Sequence, residues 1–265
     1  MDAIYAKDLV VLLIEPSAMQ SGLIENRLYE QDISHVDTAT TKSEALEKIL
    51  KYPPDLVLSN MYYEDGTACE LLEEIHRHEQ FQHLPFVLIS SEHRDHHLET
   101  VKQSGVQAIL SKPFNPDELH DAVQATLSFL NKTELQLTHL DPHTLRVIVV
   151  DDSRLARKAI TKVLRNLGLK EIIEFEDGSH AINYLAENEV DLVVTDYNMP
   201  EVNGIELTKH IRQSTNHADV PILMVTSQAA DSQLRFVKEA GVNAVSDKPF
   251  NTNTVKKLLM QILNH

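Results

Sequence analysis

Cysteine occurs once, at Cys69, in a chain of 265 residues. An intramolecular disulfide is therefore impossible, and neither a thiolate-rich zinc site nor a redox pair can be assembled. That usage fits the cytoplasm. Positive charge is also scarce, with 24 Lys and Arg against 40 Asp and Glu and a formal net charge of −16. Binding to a phosphate backbone needs clustered Lys and Arg, so nucleic acid is not an expected partner. Long hydrophobic runs are missing as well. The N-terminus has no basic region, and its apolar stretch from Leu9 to Ile14 is interrupted by Glu15, too short for a signal peptide or a span. No membrane partner is expected. The composition, 42% hydrophobic and 24% charged, is the balance of a soluble globular chain that can build one large core or two ordinary ones.

The chain repeats itself once, and that settles the architecture. Glu15-Pro16-Ser17 follows an apolar run as Asp151-Asp152-Ser153 follows Val147 to Val150, an offset of 136 positions. The same offset pairs Asp55-Leu56-Val57 with Asp191-Leu192-Val193 and Asn60 with Asp196. It also pairs Pro85 with Pro221, Ser90 with Thr226, Gly105 with Gly241, and Lys112 to Asn115 with Lys248 to Asn251. In the second half, apolar runs at 147–150, 190–195 and 221–226 alternate with segments of helical spacing at 153–167, 203–213 and 229–240. Such alternation predicts a parallel sheet covered on both faces. Gly168 is placed to end a helix and Asn251 to cap one, while Asn115-Pro116-Asp117-Glu118 reads as a strong helix start. Residues 131–144 lose the periodicity, and Asp141-Pro142 favours a turn. The expected organisation is a first domain at 1–130, a linker at 131–144 and a second domain at 145–265. Acidity is concentrated in the first half, with 9 Lys and Arg against 22 Asp and Glu in 1–130, and 15 against 18 in the rest.

Five side chains of the second half fall at the C-terminal ends of predicted strands: Asp151, Asp152, Asp196, Thr226 and Lys248. That edge is where open parallel sheets bind ligands. Three carboxylates converging there repel one another and raise at least one pKa unless a hard cation neutralises them. Mg2+ is the natural choice, because it binds through few carboxylates and keeps waters for a phosphate-bearing partner. Asp196 is then a candidate nucleophile toward phosphorus, with Lys248 sharing the developing charge and Thr226 donating to a phosphoryl oxygen.

This set resembles the receiver domain of bacterial response regulators. The successive intervals Asp152 to Asp196, Asp196 to Thr226 and Thr226 to Lys248 are 44, 30 and 22 residues, and Lys248-Pro249-Phe250, Asp196 to Pro200 and Gly204 are similar to the family's phosphoacceptor strand and loops. The resemblance implies two tandem (βα)5 flavodoxin-like receiver domains, each a five-stranded parallel sheet with helices on both faces. It implies that Asp152, Asp196 and the carbonyl of Asn198 hold Mg2+, with Asp151 acting mainly through water. It further implies that Lys248 contacts the phosphoryl group and Thr226 carries the switch. Val245 departs from the pattern, since the family often has Tyr or Phe there. The expected function is a phosphorelay response regulator that accepts phosphate on Asp196 from a sensor histidine kinase or phosphotransfer protein and signals to an output protein. No enzymatic activity beyond its own phosphorylation and dephosphorylation is expected, nor a DNA-binding or catalytic output domain.

At the corresponding positions the first half carries Glu15, Pro16, Asn60, Ser90 and Lys112, which reads as a degenerate copy with one first-strand acid and no nucleophile. Ser59 and Asp65 are the alternative nucleophiles there. Competing readings of the whole are a phosphorelay intermediate or phosphate sink, a phosphohydrolase of the haloacid dehalogenase type, and an adaptor that is never phosphorylated. The phosphohydrolase needs a second acid where Asn198 stands. Asn198 and Gln228 either orient a hydrolytic water or are solvated loop residues. His93, His96 and His97 have metal-binding helical spacing but polar neighbours, and are read as surface. Phe236 breaks the polar side of its helix and is read as covering local core in preference to a partner contact.

Overall fold

The structure, a computed structural model, describes residues 3–91, 101–227 and 231–264, without the side chains of 231–235. It divides into two compact units, Met1–Asn131 and Lys132–His265.

In the first unit, strands β1 (Val10–Ile14), β2 (His35–Ala39), β3 (Leu56–Asn60), β6 (Phe86–Ser90) and β7 (Ala108–Ser111) form a parallel sheet in the order β2-β1-β3-β6-β7. A two-residue ladder, β4 (Tyr62–Tyr63) with β5 (Gly66–Thr67), stands apart from it. In the second unit, β8 (Arg146–Val150), β9 (Glu171–Phe175), β10 (Leu192–Asp196), β11 (Ile222–Thr226) and β12 (Ala244–Asp247) repeat the arrangement, with β8 between β9 and β10.

Successive strand residues point to opposite faces, so a strand covered on both sides must be apolar throughout. In β1, Leu12 and Ile14 join one core cluster while Val11 and Leu13 join the other. Residues of β3 and β6 divide the same way, Val57, Phe86 and Leu88 against Leu56, Leu58, Val87 and Ile89. In the second unit Ile148, Val150, Val193, Ile222 and Met224 line one face, and Val147, Val149, Leu192, Val194, Leu223 and Val225 are buried on the other. Each such side chain contributes about 1.5–3 kcal/mol on burial.

Caps place the helices relative to the strand ends. Ser17 accepts from the Gln20 N–H and Ser153 from the Ala156 N–H, so the same side chain starts the first helix of each unit, Ala18–Tyr29 and Arg154–Asn166. Asn115 opens Pro116–Leu130 with a reciprocal Glu118 contact, Asn251 opens Thr252–Leu263, and Gly168 follows Arg154–Asn166 with a φ of 97°. Residues 132–144 pack on the second unit: Thr133 and Leu135 donate to the carbonyls of Asn166 and Leu167 at 2.9 Å, and Leu135 is buried. No helix of the described residues is long and apolar enough to cross a membrane.

Candidate functional site

Parallel strands deliver their C-terminal ends to one edge, and β8 and β10 are neighbours there. Asp151 follows β8 and Asp196 ends β10, and both carboxylates are buried. Lys248 follows β12. Its buried Nζ is 2.7 Å from Asp151 Oδ2 and 2.9 Å from Asp196 Oδ1. Asp152 stands on the exposed side, and the three carboxylates each offer an oxygen within 4.8 Å of the others. Thr226 ends β11 beside Asp196 and is buried.

One ammonium is therefore shared by two buried acids, with the third carboxylate alongside them. Burial pushes the Asp151 carboxyl up to about 6, with Lys248 opposing the rise and Asp196 adding to it. Burial also raises the Asp196 carboxyl, against the pull of Lys248 and with a further push from Asp152. Asp196 Oδ2 is buried without a hydrogen-bond partner. Leaving such an oxygen unsatisfied costs roughly 1–3 kcal/mol, more for a charged group. An all-oxygen donor set with surplus negative charge and an unpartnered buried oxygen fits a hard divalent cation, not a thiophilic metal.

The loop after β10 is held against this pocket. Gly204 donates to the Tyr197 carbonyl at 3.1 Å and opens the helix Gly204–Gln213. A Cβ at Gly204 would lie 2.2 Å from the Asp196 carbonyl oxygen, so the close approach requires glycine. Asn198 lies exposed in the same loop, and Val245 is half-buried against the core. Phe236 differs from expectation. It projects from the helix Asp231–Ala240, is 63% exposed, and lines a groove of about 410 Å³ with Tyr197, Asn198, Ile205 and Lys209 instead of covering core.

In the first unit the same edge carries one acid paired with one lysine. Glu15 is buried, with Oε2 2.7 Å from Lys112 Nζ and Oε1 accepting from the Ser17 N–H at 3.0 Å and from Asn60 Nδ2 at 3.3 Å. Lys112 also donates to Gln20 Oε1 at 2.5 Å, where the second unit has Ala156. Pro16 is exposed and Ser90 buried. Neither alternative nucleophile is poised for attack. Ser59 is fully buried and donates to the Asn60 carbonyl, while Asp65 accepts from the N–H groups of Lys42 and Ser43 and from Ser43 Oγ, capping the helix Lys42–Lys51.

Sequence reasoning missed Arg157 and Glu174. Arg157 Nη1 donates to the Asp151 carbonyl, and its Nε is 3.6 Å from Glu174 Oε2. The first half has Ser21 and Thr38 at those positions, one difference among the many between the halves, so the repeat did not mark them. His93, His96, His97 and Gln228 lie outside the described residues.

A chemotaxis protein CheY homolog of Campylobacter jejuni is 38% identical over 120 residues, 45% of this chain and 92% of that protein. Chemotaxis protein CheY-3 of Vibrio cholerae is 37% identical over 118 residues, 44% of this chain and 91% of its own. The solved structure of Vibrio cholerae chemotaxis protein CheY4 covers 45% of this chain and 98% of its own, at 30% identity and a TM-score of 0.43. The family model for the response regulator receiver domain matches twice, over residues 11–124 and 147–260. The chain thus belongs to the response regulator receiver family and carries that domain in tandem.

Proposed function

We propose that the second unit accepts a phosphoryl group on Asp196 from a phosphohistidine donor, in the two-component manner, and that the first unit is a receiver without this chemistry. The observation that carries the proposal is the buried Asp196 carboxylate: one oxygen is tied to Lys248, and the other is unpartnered beside two more acids. Asp151, Asp152 and Asp196, with the Asn198 carbonyl, are the proposed holders of Mg2+. The cation would neutralise the acids and the incoming phosphoryl oxygens when bound.

An Asp196 oxygen attacks phosphorus, an O–P bond forms, and the donor's N–P bond breaks with the electron pair returning to imidazole. Lys248 turns from its carboxylate partners toward the phosphoryl oxygens, and the Thr226 hydroxyl donates to one of them. Hydrolysis returns the carboxylate and releases inorganic phosphate. The signal is read by another protein, and the chain acts as a phosphorelay intermediate where the group moves on to a partner histidine. An amide at Asn198 supplies no general acid, which speaks against a turnover phosphohydrolase.

Intact mass after incubation with a small phosphodonor tests the reading. Wild type should gain one base-labile phosphoryl group only when magnesium is present, and Asp196→Asn should gain none. Labelling that persists in Asp196→Asn would refute the assignment.

A further inference from the structure

The turn bearing Asp151 and Asp152 is braced by two residues that the proposed chemistry does not use. Arg157 lies one turn into the helix Arg154–Asn166 and donates to the Asp151 carbonyl. Its Nε is 3.6 Å from Glu174 Oε2, and the other Glu174 oxygen accepts from Lys158 at 3.1 Å. Glu174 sits on β9, in register with Val149. The same edge strand holds the Asp151 N–H, which donates to the Phe175 carbonyl at 3.2 Å. Because the peptide joining Asp151 to Asp152 is planar, fixing its carbonyl oxygen restricts the direction from which Asp152 enters the pocket. Asp152 is the exposed member of the three acids, so it has the least packing to orient it.

The internal repeat supplies the control. Ser21, Gly22 and Thr38 stand where the second unit has Arg157, Lys158 and Glu174. Ser21 donates instead to Glu25 in its own helix, at 2.9 Å. The brace is present where the first strand is followed by two acids and absent where it is followed by one.

We propose that Arg157, anchored by Glu174, is a positioning residue that presents the Asp151–Asp152 carboxylates to a divalent cation. The inference rests on the acid pocket being a magnesium site. A guanidinium is a planar fork that serves the carbonyl and Glu174 together, whereas a lysine ammonium is a single point charge on a flexible stem. Lysine at this position therefore keeps the charge and loses the bridge.

The test is calorimetric titration of the full chain with Mg2+, comparing wild type with Arg157→Lys, Arg157→Met and Glu174→Gln. Circular dichroism of each variant establishes that it is folded. Positioning predicts that Arg157→Lys and Arg157→Met both bind magnesium about tenfold more weakly, in the range seen when outer partners of metal ligands are removed. Glu174→Gln should move the same way. Phosphorylation of Arg157→Lys should recover the wild-type plateau at saturating magnesium, since the brace arranges the ligands and does not touch phosphorus. Wild-type affinity in Arg157→Lys, or tighter binding in Arg157→Met, would mean that Arg157 acts only as a nearby charge and would overturn the inference. A wild type that takes up no magnesium would instead overturn the reading of the pocket itself. If Arg157→Met does not fold, Arg157→Lys and Glu174→Gln carry the same decision.

Discussion

The absence of a side chain at Gly204 seats the helix Gly204–Gln213 against the strand that ends in Asp196. A methyl group there would meet the Asp196 carbonyl oxygen at 2.2 Å, a backbone atom that cannot swing aside. Gly204→Ala should destabilise the second unit by about 1–3 kcal/mol, the usual cost of overpacking, and weaken magnesium binding through displacement of Asp196. Denaturant unfolding together with a magnesium titration checks both effects, and wild-type values in each would show that the loop has slack. The first unit has Ala68 at the equivalent position, so its loop has already accommodated a methyl. Lys248 is the second decisive residue at this scale. Lys248→Met removes the cation shared by two buried carboxylates, and breaking a buried pair in this way costs about 3–5 kcal/mol. Saturating magnesium should restore part of that loss, which a melting curve with and without the metal measures.

Among the elements, the strand ends carry the proposal that the first unit takes no phosphoryl group. Glu15 is one methylene longer than Asp151 and reaches Lys112, Asn60 and the Ser17 N–H together, while Pro16 contributes no carboxylate. Asn60→Asp alone should therefore not create a second phosphorylation site, because a nucleophile without enough anionic metal ligands stays idle. Adding Pro16→Asp should recover part of the reaction, a non-additive pair as expected of residues acting as one unit. Phosphoryl incorporation in an Asp196→Asn background decides it, and efficient labelling by Asn60→Asp alone would contradict this account. The strands legible in the sequence, β8, β10 and β11, are those buried on both faces, where an unbroken apolar run leaves little choice. Edge strands β2 and β9 are half-exposed, with mixed sequences such as Glu171-Ile172-Ile173-Glu174-Phe175, and periodicity alone did not reveal them. The acids, Lys248 and Thr226 were legible because the repeat aligns them at strand ends. Arg157 and Glu174 were not, because their partnership joins a helix to an edge strand and leaves no local pattern. The ladder of Tyr62–Tyr63 with Gly66–Thr67 was equally hidden, since it is too short for alternation to register.

For the molecule as a whole, two copies of one fold have diverged in charge and in how they respond to it. Where the second unit fastens Arg212 to the carbonyls of Ala218, Val220 and Gly241, the first has His76, buried. Burial, then the neighbouring His83, holds the His76 pKa down to about 4, against about 6.5 in an unfolded chain. Between those values the unfolded state binds more protons than the native one, so first-unit stability is full above about 6.5 and falls as pH drops toward 4. Hydrogen exchange of the β3 and β6 amides should show this loss in wild type and a flatter profile in His76→Leu. An identical pH profile in the variant would remove His76 as the cause. Phosphate is proposed to enter one unit only, at one carboxylate. Borohydride reduction of the phosphorylated full chain converts an aspartyl phosphate to homoserine, and peptide mapping then reads the site directly. Homoserine is expected at position 196, with unmodified carboxylates throughout the first unit; homoserine in any first-unit peptide, or none at 196 in labelled protein, would overturn the assignment.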